Sequence, residues 1–258
     1  ATKFRAKFDE NFGKLPVLNA KNSVLPSRRT PLHAAKEINT NPPSSMAKGK
    51  SSVLVNAYLI LYNLAAAAGW AFCLHVCVKH ISQGTIDSMW TEVSPVLKVV
   101  QTAAILEIVH SLIGFVRSPW FTTFLQVFSR VWCLWAAMDI CSEAQTSVFT
   151  VLAVTSWSLV EVPRYLFYAL NIVGLVPYPL FWLRYSLFAI LYPTGISGEL
   201  GCFFRCGEFL YKNKSNPALF WALVAVAATY GPGSPKMYGH MVKTRRKQFA
   251  ELDKVKAA

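Results

Sequence analysis

The chain has 258 residues, 53% of them hydrophobic and only 15% charged, with 26 Lys and Arg against 13 Asp and Glu for a net charge of +13. Soluble domains carry roughly a quarter charged residues, so this chain is short of the groups that cover a water-facing surface, while its wealth of large apolar side chains excludes a wholly disordered or low-complexity protein. Its six cysteines are too few and too scattered for a disulfide scaffold.

The charge is unevenly placed. Residues 1–50 hold 10 basic and 3 acidic side chains, residues 231–258 hold 7 and 2, and the 180 residues between them hold 9 and 8. Basic tails suit nucleic acid or the cytosolic flanks of membrane spans. The nearly neutral, apolar middle favours the membrane and no nucleic-acid partner. Residues 1–50 read as a flexible basic segment rich in Pro, Ser, Asn and Lys. No apolar run follows their early basic residues, so no secretory signal is expected. Met46, just ahead of the first apolar run, is a candidate start.

A membrane-crossing helix needs about 20 mostly apolar residues. In chain order the expected spans are Val53–Val78, Val99–Val116, Trp120–Met138, Val148–Val173, and the shorter Pro177–Tyr192 and Pro217–Tyr230. These predict an all-α protein, a bundle of six transmembrane helices over residues 51–232, followed by a basic cytosolic tail over 233–258. Six crossings return both basic termini to one side. Asp87, Glu92, Asp139 and Glu143 then face the lumen and Arg117 the cytosol, with Lys212 and Lys214 against the trend. Small residues from Ala65 to Gly69 are expected to let helices approach closely.

Charges inside spans are expensive unless paired. Glu107, His110, Arg130, Glu161, Arg164 and Arg184 all fall there. Glu107 and His110, and likewise Glu161 and Arg164, are three apart and share a helix face. Either an ion-pair network or the wall of a polar cavity follows. Cys73/Cys77 and Cys202/Cys206 have no further ligands nearby, so no metal is expected. His110-Ser111, five residues and Arg117 have the spacing of a tyrosine-phosphatase loop, but Ser replaces the nucleophilic Cys and phosphatase activity is not expected.

The run from Tyr192 to Glu199 (YPTGISGE) holds the most chemistry. Tyr192 and Glu199 are seven apart, two helical turns on one face. Pro193 is expected to bend or break the helix, and Gly195 and Gly198 to allow close approach. A phenol and a carboxyl so placed can move two protons. On spacing alone, an interfacial Tyr and a span-end Glu remain the plainer reading.

The Tyr192–Glu199 run, preceded by Leu183, Arg184 and Tyr185, resembles the signature of the very-long-chain (3R)-3-hydroxyacyl-CoA dehydratases, also called protein-tyrosine-phosphatase-like membrane proteins. Other matching runs are Tyr58–Asn63 with Gly69-Trp70, Gln101–His110, Val116–Pro119, and Trp157, Ser158, Glu161, Arg164, Tyr165, Phe167 and Tyr168. Gly231–Tyr238 completes them. The resemblance spans roughly residues 54–247, and the form of Val116–Pro119 is similar to plant-type members. It implies a multi-pass endoplasmic-reticulum enzyme of fatty-acid elongation that removes water from (3R)-3-hydroxyacyl-CoA to give trans-2-enoyl-CoA. Tyr192 and Glu199 would be catalytic, with Arg130, Glu161, Arg164, Tyr165, Arg184 and Tyr185 binding substrate or supporting the site. It also implies acyl-CoA as substrate and the condensing enzyme, ketoacyl reductase and enoyl reductase of the cycle as partners. No cofactor is needed, because no electrons move. Two competing classes are a catalytically silent scaffold for elongation enzymes or binder of phosphorylated partners, and a small transporter. The intact Tyr192/Glu199 pair disfavours the first, and the lack of visible inverted repeats disfavours the second.

Overall fold

The computed structural model describes residues 53–116 and 120–257. The expectations for residues 1–50 and for Arg117–Pro119 lie outside the described residues. Helix α1 is Val53–Gln83. A short 3₁₀ turn, Ile86–Ser88, leads into α2, Met89–Ala103, and α3, Ile105–Leu112. Then come α4, Trp120–Trp132, a π-helical segment, Cys133–Met138, and α5, Ser142–Gln145. The chain continues through α6, Val148–Val173, α7, Tyr178–Ser186, α8, Phe188–Lys212, and α9, Pro217–Ala257. All regular structure among the described residues is helical.

Helix α6 is the centre of the packing, with α1 against one side and α8 against the other. It is cleanly delimited. The Ser147 hydroxyl accepts from the Phe149 N–H at its start. Gly174 ends it at φ +78°, and the Leu175 N–H returns to the Leu170 carbonyl at 3.0 Å.

Helix α1 turns Leu59, Asn63, Ala66, Trp70, Cys73, Cys77 and His80 inward at helical spacing. Its remaining face is also apolar, with Leu61 68% exposed. A helix that is apolar all round fits lipid better than water. A Cβ on Gly69 would stand 2.3 Å from Val100 Cγ1, so the small-residue stretch does bring α1 and α2 together.

Among the described residues, two stretches are long and apolar enough to cross a membrane, Val53–Gln83 and Ile86–Leu112, and α7 with α8 forms a third if the bent pair counts as one. The second starts earlier than the expected Val99. Trp90, Val93, Leu97 and Val100 are buried at helical spacing. Glu92 and Lys98, which read as flanking charges, are neutralised by Lys79 and Asp139. The expected span Trp120–Met138 is α-helical to Trp132, then widens to π, with the Asp139 N–H reaching back five residues to the Leu134 carbonyl at 2.9 Å.

Pro193 does not break its helix. The 44° bend lies earlier, between Ser186 and Phe188. The proline ring displaces the carbonyl four residues before it. The distortion therefore falls on the turn upstream, where the Ile190 N–H makes a tightened bond to the Leu187 carbonyl. The last helix likewise does not end with the apolar run at Tyr230 but continues through Pro232 and Pro235 to Ala257.

A disulfide joins Cys141 to Cys206, tying the approach to α5 to helix α8. Closer to the site, a Cβ on Gly198 would lie 2.6 Å from the Ala153 backbone nitrogen and 2.8 Å from its Cα. Backbone cannot yield as a side-chain tip can. Gly198→Ala is therefore expected to push α8 off α6 and to destabilise the protein by about 1–3 kcal/mol. Thermal unfolding in detergent measures this.

Candidate active site

Glu199 sits where α6, α8 and α9 meet and is only 6% exposed. Its carboxylate accepts the Trp157 indole N–H of α6 at 2.9 Å on one oxygen and the Tyr230 hydroxyl of α9 on the other. A carboxyl buried among helices is stable only when its oxygens are so occupied.

Tyr192 lies two turns earlier on α8 and is half-buried. Its ring packs beside Tyr238 with centroids 6.2 Å apart, and the Ser234 hydroxyl lies next to its own. No hydrogen bond among the described residues joins Tyr192 to Glu199. Helix α9 bridges them instead, Tyr230 holding the acid while Ser234 and Tyr238 border the phenol. The Arg130 guanidinium of α4 acts electrostatically on both groups, and the Glu199 charge acts on Tyr192. The two side chains therefore share one electrostatic environment.

Behind them runs a chain of ion pairs. Glu161, 3% exposed, accepts from Arg130 and from Arg164, the latter at 2.5 Å. Arg164 also grips Glu107 through both terminal nitrogens at 2.8 Å, and Tyr165 donates to the same carboxylate. Each buried charge thus meets an opposite one, as the low dielectric requires. Arg130 in turn sits 5.7 Å from the centre of the Trp157 ring, so the chain ends on the indole that holds Glu199.

The expected pairing of Glu161 with Arg164 is present. Glu107 and His110 are not partners: His110 bonds the Tyr58 hydroxyl at 2.9 Å, while Glu107 turns to Arg164 and Tyr165. Arg184 and Tyr185 bond none of these carboxylates and reach the network through Tyr168, whose ring centre lies 5.8 Å from Arg164. Arg184 donates to the Tyr168 hydroxyl at 2.9 Å, and Tyr185 packs edge-on to Phe167 and beside Phe181. Ser111, the position of the absent phosphatase thiol, lies inside helix α3.

Sequence reasoning missed Tyr230. It closes an apolar run, where a Tyr reads as an interfacial residue, and its partner is 31 positions away on another helix. Tyr230→Phe removes a hydrogen bond to a charged acceptor, worth about 1.5–3 kcal/mol. If Glu199 is used in turnover, kcat is expected to fall about ten- to hundredfold, while far-UV circular dichroism stays unchanged.

A buried carboxyl fixed by two donors, a phenol two turns away and a nearby guanidinium, set in apolar helices of a membrane protein, are groups able to exchange protons. Comparison with known proteins narrows the class. The family described as protein tyrosine phosphatase-like protein, PTPLA, matches residues 101–251. The very-long-chain (3R)-3-hydroxyacyl-CoA dehydratase hpo-8 of Caenorhabditis elegans is 39% identical over 206 residues, covering 75% of this chain and 94% of its own length. Dehydratase 2 of Homo sapiens is 35% identical over 215 residues, 79% of this chain and 85% of its own. The dehydratase PASTICCINO 2 of Arabidopsis thaliana is 34% identical over 215 residues, 79% of this chain and 97% of its own. No solved structure matches the chain. The chain belongs to the protein tyrosine phosphatase-like family of very-long-chain (3R)-3-hydroxyacyl-CoA dehydratases. Plant and animal members stand at similar identity, so the match does not separate a plant-type branch.

Proposed function

We propose that this chain is a very-long-chain (3R)-3-hydroxyacyl-CoA dehydratase in which Tyr192 and Glu199 divide the two proton transfers. The thioester carbonyl acidifies the C2 proton, and the C3 hydroxyl leaves only once protonated. Glu199, held by two donors, suits the carboxylate form, which accepts a proton. It takes the proton from C2. The C2 electron pair forms the new double bond as the C3–O bond breaks. Tyr192 gives its proton to the departing oxygen, which leaves as water, with the Arg130 guanidinium acting on both groups of the pair. Passage of the proton from Glu199 back to Tyr192 restores both groups, so atoms balance and no electrons are transferred.

The observation that carries this reading is the burial of Glu199 at a three-helix junction within two turns of Tyr192, in a chain that covers 94% of a relative named as this dehydratase. Expression in cells lacking their own dehydratase tests it. The wild-type chain should clear accumulated 3-hydroxyacyl-CoA. Persistent accumulation with the protein present in the membrane would contradict the assignment.

Placement in the endoplasmic reticulum as six spans, with both termini cytosolic and the other elongation enzymes as partners, completes the proposal. Three features support it: the basic terminal segments, the two or three clear spans, and the Cys141–Cys206 disulfide, which suits an oxidising lumen at that end of the bundle. The form of the Val116–Pro119 run supports a plant-type member.

A further inference from the structure

Helix α9 runs antiparallel to the bent α7–α8 pair and reads along it with one face. Tyr230 meets Glu199, Ser234 and Tyr238 meet Tyr192, Tyr238 also meets Phe188, Arg245 donates to the Ser186 hydroxyl at 3.2 Å, and Phe249 packs on Phe181. This face therefore leads from the buried carboxyl to a second cluster at the far end of α7. Two arginines lie there. Arg184 touches the Tyr168 and Tyr185 rings, 5.4 and 5.6 Å from their centres, and Arg245 lies 4.5 Å from the centre of Phe249.

Arg184 is incompletely used. One terminal nitrogen donates to Tyr168, but its Nε–H is buried with no acceptor among the described residues. A buried guanidinium donor without an acceptor carries a penalty, and the planar fork suits phosphate oxygens. The nearby acid Glu251 is within reach of Lys247 at 3.9 Å and Gln248 at 3.3 Å and also faces Tyr185. From Lys236 to Lys256 the helix carries 7 basic and 2 acidic side chains, so the surroundings are strongly positive.

We propose that Arg184 and Arg245 form the subsite for the phosphates of the coenzyme A head group, an inference that rests on the dehydratase reading. The geometry suits the ligand. From Ser234, beside Tyr192, to Arg245 the helix rises roughly 16 Å. That is of the order of the extended pantetheine arm, which separates the thioester from the phosphates. A substrate with its reacting carbons between Glu199 and Tyr192 then lays this arm along α9 and delivers its phosphates to the two guanidiniums. The Tyr168 and Tyr185 rings flank the Arg184 guanidinium and the Phe249 ring that of Arg245, with Phe181 packed between Tyr185 and Phe249.

The full chain in neutral detergent tests this with two substrates, the 3-hydroxyacyl-CoA and the same acyl group on pantetheine, which has no phosphates. Arg184→Gln and Arg245→Gln should each raise KM for the CoA thioester about tenfold or more with kcat little changed, and leave KM for the pantetheine thioester as in wild type. Equal effects on both substrates would show a merely structural role and overturn the proposal, as would no effect on either. Binding of free coenzyme A, measured without turnover, should weaken in parallel. If the variants keep coenzyme A binding but lose association with vesicles of anionic phospholipid, the cluster serves lipid headgroups and the proposal fails. If wild type turns over neither substrate yet binds coenzyme A through these arginines, the dehydratase reading fails and the subsite stands.

Discussion

Tyr192→Phe is expected to leave the protein folded and membrane-embedded and to lower kcat for dehydration by about a hundredfold to ten-thousandfold, the span ordinarily supplied by one general acid or base. The substitution removes one oxygen from a half-buried ring whose packing against Tyr238 needs only the carbon frame. Only the hydroxyl group is lost, so KM should stay near the wild-type value while kcat collapses, the pattern of an interaction made in the transition state. Steady-state kinetics on the purified variant measure both. A KM effect alone would make Tyr192 a binding group.

The second large effect concerns stability. Glu161→Ala leaves Arg130 without its carboxylate and Arg164 with Glu107 alone, in a part of the bundle where Glu161 is almost inaccessible. Removing one partner of a buried ion pair costs about 3–5 kcal/mol, because the remaining charge stays desolvated. Unfolding in detergent should show a loss of that size. Replacing Arg130 by Met in the same protein should recover part of it, since the stranded charge is then gone. Activity should fall in both variants. Arg130 lies against the Trp157 indole and acts on Tyr192 and Glu199, so removing its anchor should disturb the surroundings of both.

Much of this arrangement is legible in the sequence where the interactions are local. The 26 uncharged positions from Val53 predict the first helix, and the structure extends it to Gln83. The three-residue spacing of Glu161 and Arg164 predicts their ion pair, and the seven-residue spacing of Tyr192 and Glu199 puts them on one helical face. What sequence spacing hides is set by other helices. Lys98 directly precedes the expected span start at Val99, yet Asp139 neutralises it and the helix runs through it. Pro193 marks a bend, but the bend falls six residues upstream, between Ser186 and Phe188. Tyr230 and Arg245 look like a span-end tyrosine and a tail arginine, and only the packing of α9 along α7 and α8 gives them partners. Among the described residues, length and composition mark two stretches of the six expected spans, and a third if the bent α7–α8 pair counts as one; the segment expected from Trp120 to Met138 changes to π geometry after Trp132.

The claim that Tyr192 and Glu199 act as one catalytic unit is tested most directly by a double-mutant cycle on kcat with the purified chain and (3R)-3-hydroxyacyl-CoA. Tyr192→Phe and Glu199→Gln should each nearly abolish formation of trans-2-enoyl-CoA, and the double variant should be hardly slower than either, as for groups that work together in one transition state. Wild-type turnover in either single variant, or losses that simply multiply in the double, would contradict it.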